Sequence, residues 1–165
     1  MQYSSPALKR INHLVSELEQ IYHSYALKYK ISDSEFAILY TLSVEGGECA
    51  LSDIVLLSGL PKQTVNSAIR KMEDEEIILL SDNGKRRKNV TLTEKGRIKA
   101  EESVVKLIEI ENEIFSKWGE EKTERYIKET EEYKKKEAVV KLSVNVQALV
   151  SDLERNNLYR RFGLY

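Results

Sequence analysis

Hydrophobic residues recur every three or four positions from about residue 6 to residue 30 of the chain. The main stripe consists of Leu8, Ile11, Val15, Leu18, Tyr22 and Tyr25, and Leu14 and Ile21 widen it. Residues at this spacing lie on one face of a helix, so the pattern predicts an amphipathic helix of several turns. A second helix is predicted over residues 33–44, because Ser32 and Glu35 have the spacing of a capping box.

Two short helical segments follow, separated by a glycine. The first is predicted over residues 53–58, with Ser52 as its N-cap and Gly59 as its left-handed stop. Pro61 suits the start of the second segment, because its missing N–H costs no hydrogen bond there. The apolar face of this second segment consists of Val65, Ile69 and Met72. Two helices joined by a tight turn that contains glycine form a helix-turn-helix.

The hydrophobic spacing becomes that of strands after this helix pair. Residues 77–80 and 89–92 are two short extended runs on either side of Asn83-Gly84, a dipeptide typical of hairpin turns. The basic residues at the predicted tip are Lys85, Arg86, Arg87 and Lys88. Thr93 suits the N-cap of the next helix. The hairpin therefore has the position of a wing that follows a helix-turn-helix.

The last third of the chain has helical spacing again. Together with the first helix it carries more apolar surface than one small winged domain can bury, which indicates subunit pairing. The predicted fold is mainly α (α+β), a winged helix-turn-helix with N- and C-terminal dimerisation helices. We expect an N-terminal dimerisation helix over residues 1–30, a winged helix-turn-helix domain over residues 31–96, and C-terminal dimerisation helices over residues 97–165.

The charge of the chain is informative only when it is examined locally. The whole sequence has a formal net charge of −1, with 26 basic and 27 acidic residues. Ten basic and six acidic residues lie between Gly59 and Lys99, so the basic charge is concentrated in the helix-turn-helix and the hairpin. A confined basic surface of this kind favours binding to a polyanion.

Polar residues of the second helix in this pair have the chemistry of DNA contacts. Amide and arginine side chains can form paired hydrogen bonds with purine edges, whereas hydroxyls and N-terminal amides suit phosphates. The candidate base contacts are Gln63, Asn66, Ser67 and Arg70, and the candidate backbone contacts are Lys62 and Thr64. The hairpin adds Lys85, Arg86, Arg87 and Lys88, of which Arg86 or Arg87 could enter a minor groove. Taken alone, either set is also compatible with an ordinary solvated surface.

The run LSDIVLLSGLPKQTVNSAIRKMEDEEIILLSDNGKRRKNVTLTEKG resembles the winged helix-turn-helix core of MarR-type transcriptional regulators. Its most specific parts are PKQTVNSAIRKME and VTLTEKG. The resemblance implies a homodimer, joined through its terminal helices, that binds pseudo-palindromic double-stranded DNA and usually represses transcription. It also implies a ligand-responsive cleft between the dimer helices and the DNA-binding lobe. Aromatic residues that could line this cleft are Tyr22, Tyr25 and Tyr40, although such residues are more often core or interface.

Other functions have less support in the sequence. The alternative is a helical dimeric adaptor that uses the winged domain for protein–protein contacts. No catalytic, cofactor or metal motif is present, and His13 and His23 do not share one side of the predicted helix. Cys49 is a lone cysteine, and no apolar run approaches the roughly 20 residues of a membrane span. We therefore predict a cytoplasmic regulator that is not an enzyme, needs no cofactor and does not enter a membrane, with a small-molecule effector as a possible partner.

Overall fold

A computed structural model describes residues 5–82 and 88–155, and it describes side chains as far as residue 136. The elements, in chain order, are α1 (Pro6–Lys28), α2 (Asp33–Val44), β1 (Glu48–Ala50), α3 (Leu51–Leu57), α4 (Lys62–Asp74), β2 (Ile78–Asp82), β3 (Lys88–Leu92), α5 (Glu94–Ala100) and α6 (Lys106–Arg155). A π-helical segment, Glu101–Val105, lies between α5 and α6. The chain divides into two compact units, Met1–Asn112 and Glu113–Tyr165.

A small antiparallel sheet holds three strands in the order β1-β3-β2. Strands β2 and β3 pair from Ile78 opposite Leu92 to Asp82 opposite Lys88, which forms the predicted hairpin. Strand β1 pairs with the other edge of β3 and is not predicted by the sequence pattern. It has only three residues, so its alternation of exposed and buried positions is too short to recognise.

The core of the first unit is formed by helices α2, α3 and α4, the sheet and the π-helical segment. Its largest fully buried hydrophobic side chains are Ile38, Leu39, Leu42, Ile54, Val65, Met72, Ile78, Val90 and Val104. Helix α2 contributes buried residues around most of its circumference, so it is the central helix of this unit. The helix-turn-helix and the hairpin therefore share one core, which fixes them relative to each other.

The predicted start of α2 is confirmed, and that of α3 needs correction. The Ser32 hydroxyl accepts the N–H of Glu35 at 3.2 Å, as a capping box requires, but the Glu35 carboxylate is buried against Lys99. Helix α3 begins at Leu51 with Ala50 at the N-cap, and the Ser52 hydroxyl binds the Asp53 carboxylate at 3.2 Å. The prediction that Ser52 is the N-cap was wrong, because strand β1 runs directly into the helix.

Within the second unit, α6 is interrupted at Gly119, whose φ of 73° and ψ of 169° are not helical. The Trp118 ring packs edge-on against Phe115 at 5.8 Å and against Tyr126 at 5.3 Å between centroids. Lys122 lies over the Trp118 ring, 4.1 Å from its centre. This aromatic cluster accompanies the break at Gly119. The basic and aromatic C-terminal stretch LYRRFGLY lies outside the described residues.

Candidate nucleic-acid interface

The turn between α3 and α4 depends on Gly59, which has a φ of 68°. A residue with a Cβ rarely adopts this left-handed conformation, so glycine permits a short connection. The Ser58 N–H donates to the Ile54 carbonyl at 2.9 Å, and the Pro61 carbonyl accepts the Val65 N–H at 3.0 Å. Helix α3 therefore ends and α4 begins within a few residues. This confirms the predicted helix-turn-helix.

Helix α4 has a buried face and a polar face, as its sequence predicts. The buried face consists of Val65, Ala68, Ile69 and Met72. Five of the six candidate DNA contacts on this helix are exposed, namely Lys62, Gln63, Thr64, Ser67 and Arg70. Asn66 is half-buried and is the least accessible of the six. The structure therefore presents hydrogen-bond donors and acceptors along the solvent-facing side of α4.

The hairpin formed by β2 and β3 follows α4 directly and has the place of a wing. Lys88 is exposed at the start of β3, opposite Asp82 at the end of β2. The predicted turn at Asn83-Gly84 and the candidate residues Lys85, Arg86 and Arg87 lie outside the described residues. Of the four candidate contacts on the hairpin, the structure therefore places Lys88 alone.

Thr93 and Lys95 attach the base of the wing to the C-terminal end of α4. The Thr93 hydroxyl donates to the carbonyl of Glu76 at 2.7 Å, or to that of Ile77 at 3.1 Å, and accepts the Gly96 N–H at 3.0 Å. Lys95 Nζ donates to the Glu75 carbonyl at 2.7 Å. These bonds satisfy backbone groups just after the C-terminus of α4 and the first turn of α5. The wing and α4 are consequently held together by short polar contacts.

A buried carboxylate links helices α2, α4 and α5. The Glu35 side chain is 4% exposed, forms an ion pair with Lys99 and lies 4.0 Å from Lys71 Nζ. Glu75 lies 3.7 Å from Lys71 and 4.0 Å from Lys99, so two acids and two bases form one network. The network connects α2, α4 and α5. Sequence patterns assign Glu35 to a helix cap and give no sign of these distant partners.

A cavity of about 680 Å³ lies in the first unit, on the side of α2 where α1 and the helix-turn-helix turn approach it. Its lining consists of Glu19, Tyr22, His23, Asp33, Phe36, Ala37, Tyr40, Ser58 and Leu60. The Phe36 ring lies 6.2 Å from that of Tyr22 and 6.4 Å from that of Tyr40, between centroids. Of the three tyrosines predicted for a ligand cleft, Tyr22 and Tyr40 line this cavity. Tyr25 packs instead against Tyr29 and Phe36, outside the lining.

Glu111, on α6, connects the two cavity tyrosines. Tyr22 donates its hydroxyl to one oxygen of the Glu111 carboxylate at 2.5 Å, and Tyr40 donates to the other oxygen. Burial and the neighbouring Glu111 raise the pKa of Tyr40 well above its ordinary value. The Tyr40 hydroxyl therefore stays protonated and continues to donate. Glu111 was not a candidate in the sequence, because it lies far along the chain from both tyrosines.

The described part of the chain gives little support for a reactive thiol, a metal site or a membrane span. Cys49 is buried. Its burial, and to a lesser extent the nearby carboxylates of Glu45 and Asp53, raise the pKa of its thiol and disfavour the reactive thiolate. His13 lies 3.5 Å from Glu17, and His23 lies 2.9 Å from Asp33. The described residues contain no group of three or more potential metal ligands. Over the same residues, no helix has the length and apolar character needed to cross a membrane.

The chain is similar in sequence and in fold to proteins of the MarR family. Residues 29–87 match the model of the MarR family. A MarR family regulator from Neisseria meningitidis superposes with a TM-score of 0.67 at 21% identity, over 79% of this chain and 93% of that chain. NadR in complex with 4-hydroxyphenylacetate gives a TM-score of 0.62 at 16% identity, over 81% and 95% of the two chains. The S. aureus MepR–DNA complex gives 0.58 at 20% identity, over 82% and 98%. A search of curated proteins finds no match.

The helix-turn-helix and its antiparallel sheet define a winged helix-turn-helix protein. Over residues 29–87 the chain is similar to the MarR family, and solved MarR-type regulators share its fold. The predicted mainly α winged helix-turn-helix fold and the resemblance to MarR-type regulators are thereby confirmed. Proteins of this family are transcriptional regulators rather than enzymes.

Proposed function

We propose that the chain is a homodimeric transcriptional repressor that binds pseudo-palindromic duplex DNA in the cytoplasm and responds to a small-molecule effector. The observation that carries this proposal is the exposed polar face of α4, directly opposite its buried face and next to the wing. Gln63 and Arg70 on this face can form hydrogen bonds with purine edges, and Lys62 and Thr64 suit phosphates. The S. aureus MepR–DNA complex supports the proposal, because in it a protein of this fold is bound to DNA.

The proposed homodimer is supported by the apolar stripe of α1. Leu8, Ile11, Leu14, Val15, Leu18 and Ile21 are between 39% and 54% exposed in the single chain. A continuous apolar stripe of this length favours pairing with another helix. We assign residues 1–30 and 97–165 to dimerisation and residues 31–96 to DNA binding.

Two-fold symmetry then determines how the dimer reads DNA. The two α4 helices would enter successive major grooves about 34–36 Å apart, and the wings would contact the flanking minor grooves. Spacing between the two DNA-binding lobes therefore controls affinity. A ligand that binds one spacing more tightly than the other shifts DNA occupancy by the ratio of its two affinities. The cavity beside α1 and α2 is where we place such an effector, and the NadR complex supports a small ligand in this fold.

Selection from fragmented genomic duplex DNA, with sequencing of the retained fragments at two salt concentrations, tests this proposal. We expect enrichment of a two-fold-symmetric site and stronger retention at the lower salt, because phosphate contacts release counterions. An Arg70→Ala variant should enrich this site less strongly and with relaxed base preference. The control is Lys117→Ala, which lies in the second unit and is not a candidate DNA contact. Weak, unselective retention that is the same at both salts would favour the adaptor function instead.

A further inference from the structure

The polar lining of the aromatic cavity is acidic. Glu19 and Asp33 contribute two carboxylates, and the nine described lining residues include neither lysine nor arginine. Both acids are exposed, so their charges act at the mouth of the cavity and are partly screened by water. A ligand that enters the cavity therefore meets two carboxylates and no lysine or arginine in the described lining.

The aromatic wall of the cavity, formed by Tyr22, Phe36 and Tyr40, also attracts positive charge. Tyr22 and Tyr40 both donate their hydroxyl hydrogens to Glu111, which places a third carboxylate against the two rings. A phenol that donates to a carboxylate is polarised, and its ring gains electron density. The face of an electron-rich ring attracts cations through its quadrupole. Phe36, packed between these rings, provides apolar contact area.

His23 also offers an acceptor rather than a donor in its neutral form. Its Nδ1 lies 2.9 Å from both oxygens of Asp33. An ionised carboxylate only accepts hydrogen bonds, so Nδ1 carries the hydrogen and the neutral ring has Nε2 left as an acceptor. The carboxylates, the phenol oxygens and this nitrogen thus all favour a ligand that is positively charged or rich in N–H donors.

We propose that this cavity binds a hydrophobic organic cation, such as an aromatic ammonium or phosphonium ion. Its volume of about 680 Å³ lies within the roughly 300–1,000 Å³ of ordinary ligand pockets. An aromatic acid such as the 4-hydroxyphenylacetate in the NadR structure would here face charges of its own sign. The regulatory meaning of this assignment rests on the proposed function, whereas binding of the cation itself does not require DNA.

Calorimetric titration of the full chain with tetraphenylphosphonium and with tetraphenylborate tests the assignment, because the two ions have similar shape and opposite charge. We expect the cation to bind more tightly than the anion. Glu19→Gln should weaken cation binding by roughly two- to fivefold, as expected for loss of one solvent-screened charge. Glu17→Gln is the matched control, since Glu17 lies on the same helix, pairs with His13 and is outside the lining.

Equal or tighter binding of the anion, no binding of either ion, or equal effects of the two glutamine variants would overturn the assignment. A second titration, of labelled operator DNA in the presence of the cation, separates this result from the proposed regulation. Cation binding with the Glu19 dependence supports the assignment even if the affinity for DNA is unchanged, in which case the effector role fails. A chain that binds no DNA overturns the proposed function, while the calorimetric result still decides the ligand class.

Discussion

Replacing Gly96 with alanine is expected to destabilise the attachment of the wing. Gly96 lies in the first turn of α5, against the backbone that enters the hairpin. An added Cβ would lie 2.0 Å from the Ile77 carbonyl oxygen and 3.2 Å from Cδ2 of Leu92. Real Cβ atoms essentially never come within 3.0 Å of such an atom, so the backbone must shift by about 1 Å.

The size of the effect follows from what the Ile77 carbonyl already binds. It accepts the Thr93 N–H at 3.1 Å and lies within reach of the Thr93 hydroxyl, also at 3.1 Å. A shift of about 1 Å would break both contacts, each of which contributes about 1 kcal/mol. Overpacking lowers the free energy of unfolding by about a further 1–3 kcal/mol. The better helix propensity of alanine raises it again by about 1 kcal/mol. We expect the free energy of unfolding to fall by roughly 2–4 kcal/mol.

Urea denaturation of the full chain, followed by circular dichroism, measures this change. The control is Glu94→Ala, a neighbouring and exposed position where the change should stay within about 1 kcal/mol. Helix propensity alone predicts that Gly96→Ala stabilises the protein. A variant as stable as the wild type, or more stable, would therefore refute the close approach between α5 and the backbone at Ile77.

Three further predictions concern the DNA surface, the buried network and the thiol. Gln63→Ala or Arg70→Ala should cost roughly 1–3 kcal/mol on the preferred site and relax its specificity, whereas Arg86→Ala should weaken all sequences and lower the salt slope by about one. Fluorescence anisotropy across sequences and salt measures both, and uniform losses from the helix variants would contradict base contacts. Glu35→Gln should lower the free energy of unfolding by about 1–3 kcal/mol, less than for a fully buried pair, because Lys99 is 29% exposed; an unchanged urea midpoint with an unchanged slope would contradict this. Cys49, buried and with a raised thiol pKa, should react with an aromatic disulfide more slowly in the native chain than in urea, and equal rates would show that it is accessible.

The sequence by itself determined the helices, the glycine turn and the polar face of α4, because their signals lie within a few residues of one another. Helix α2 has the predicted bounds, and Thr93 caps α5 through a bond to Gly96 three residues away. The three-and-four spacing of Val65, Ile69 and Met72 predicted which side of α4 is buried, and hence which side is exposed. Local patterns of this kind are therefore sufficient to predict the fold class and the candidate DNA surface on α4.

Only the tertiary structure decided which distant residues meet. Glu48 of β1 pairs with Thr91 across the helix-turn-helix and the first wing strand, and Glu35 reaches Lys99, 64 residues further along the chain. Tyr22 reaches Glu111 across 89 residues, which places a further carboxylate against the aromatic wall of the cavity. Such contacts leave no periodicity in the sequence, because any of many acids and bases could satisfy them. Their partners are chosen when the hydrophobic core packs α2 against its neighbours and sets the distances between side chains.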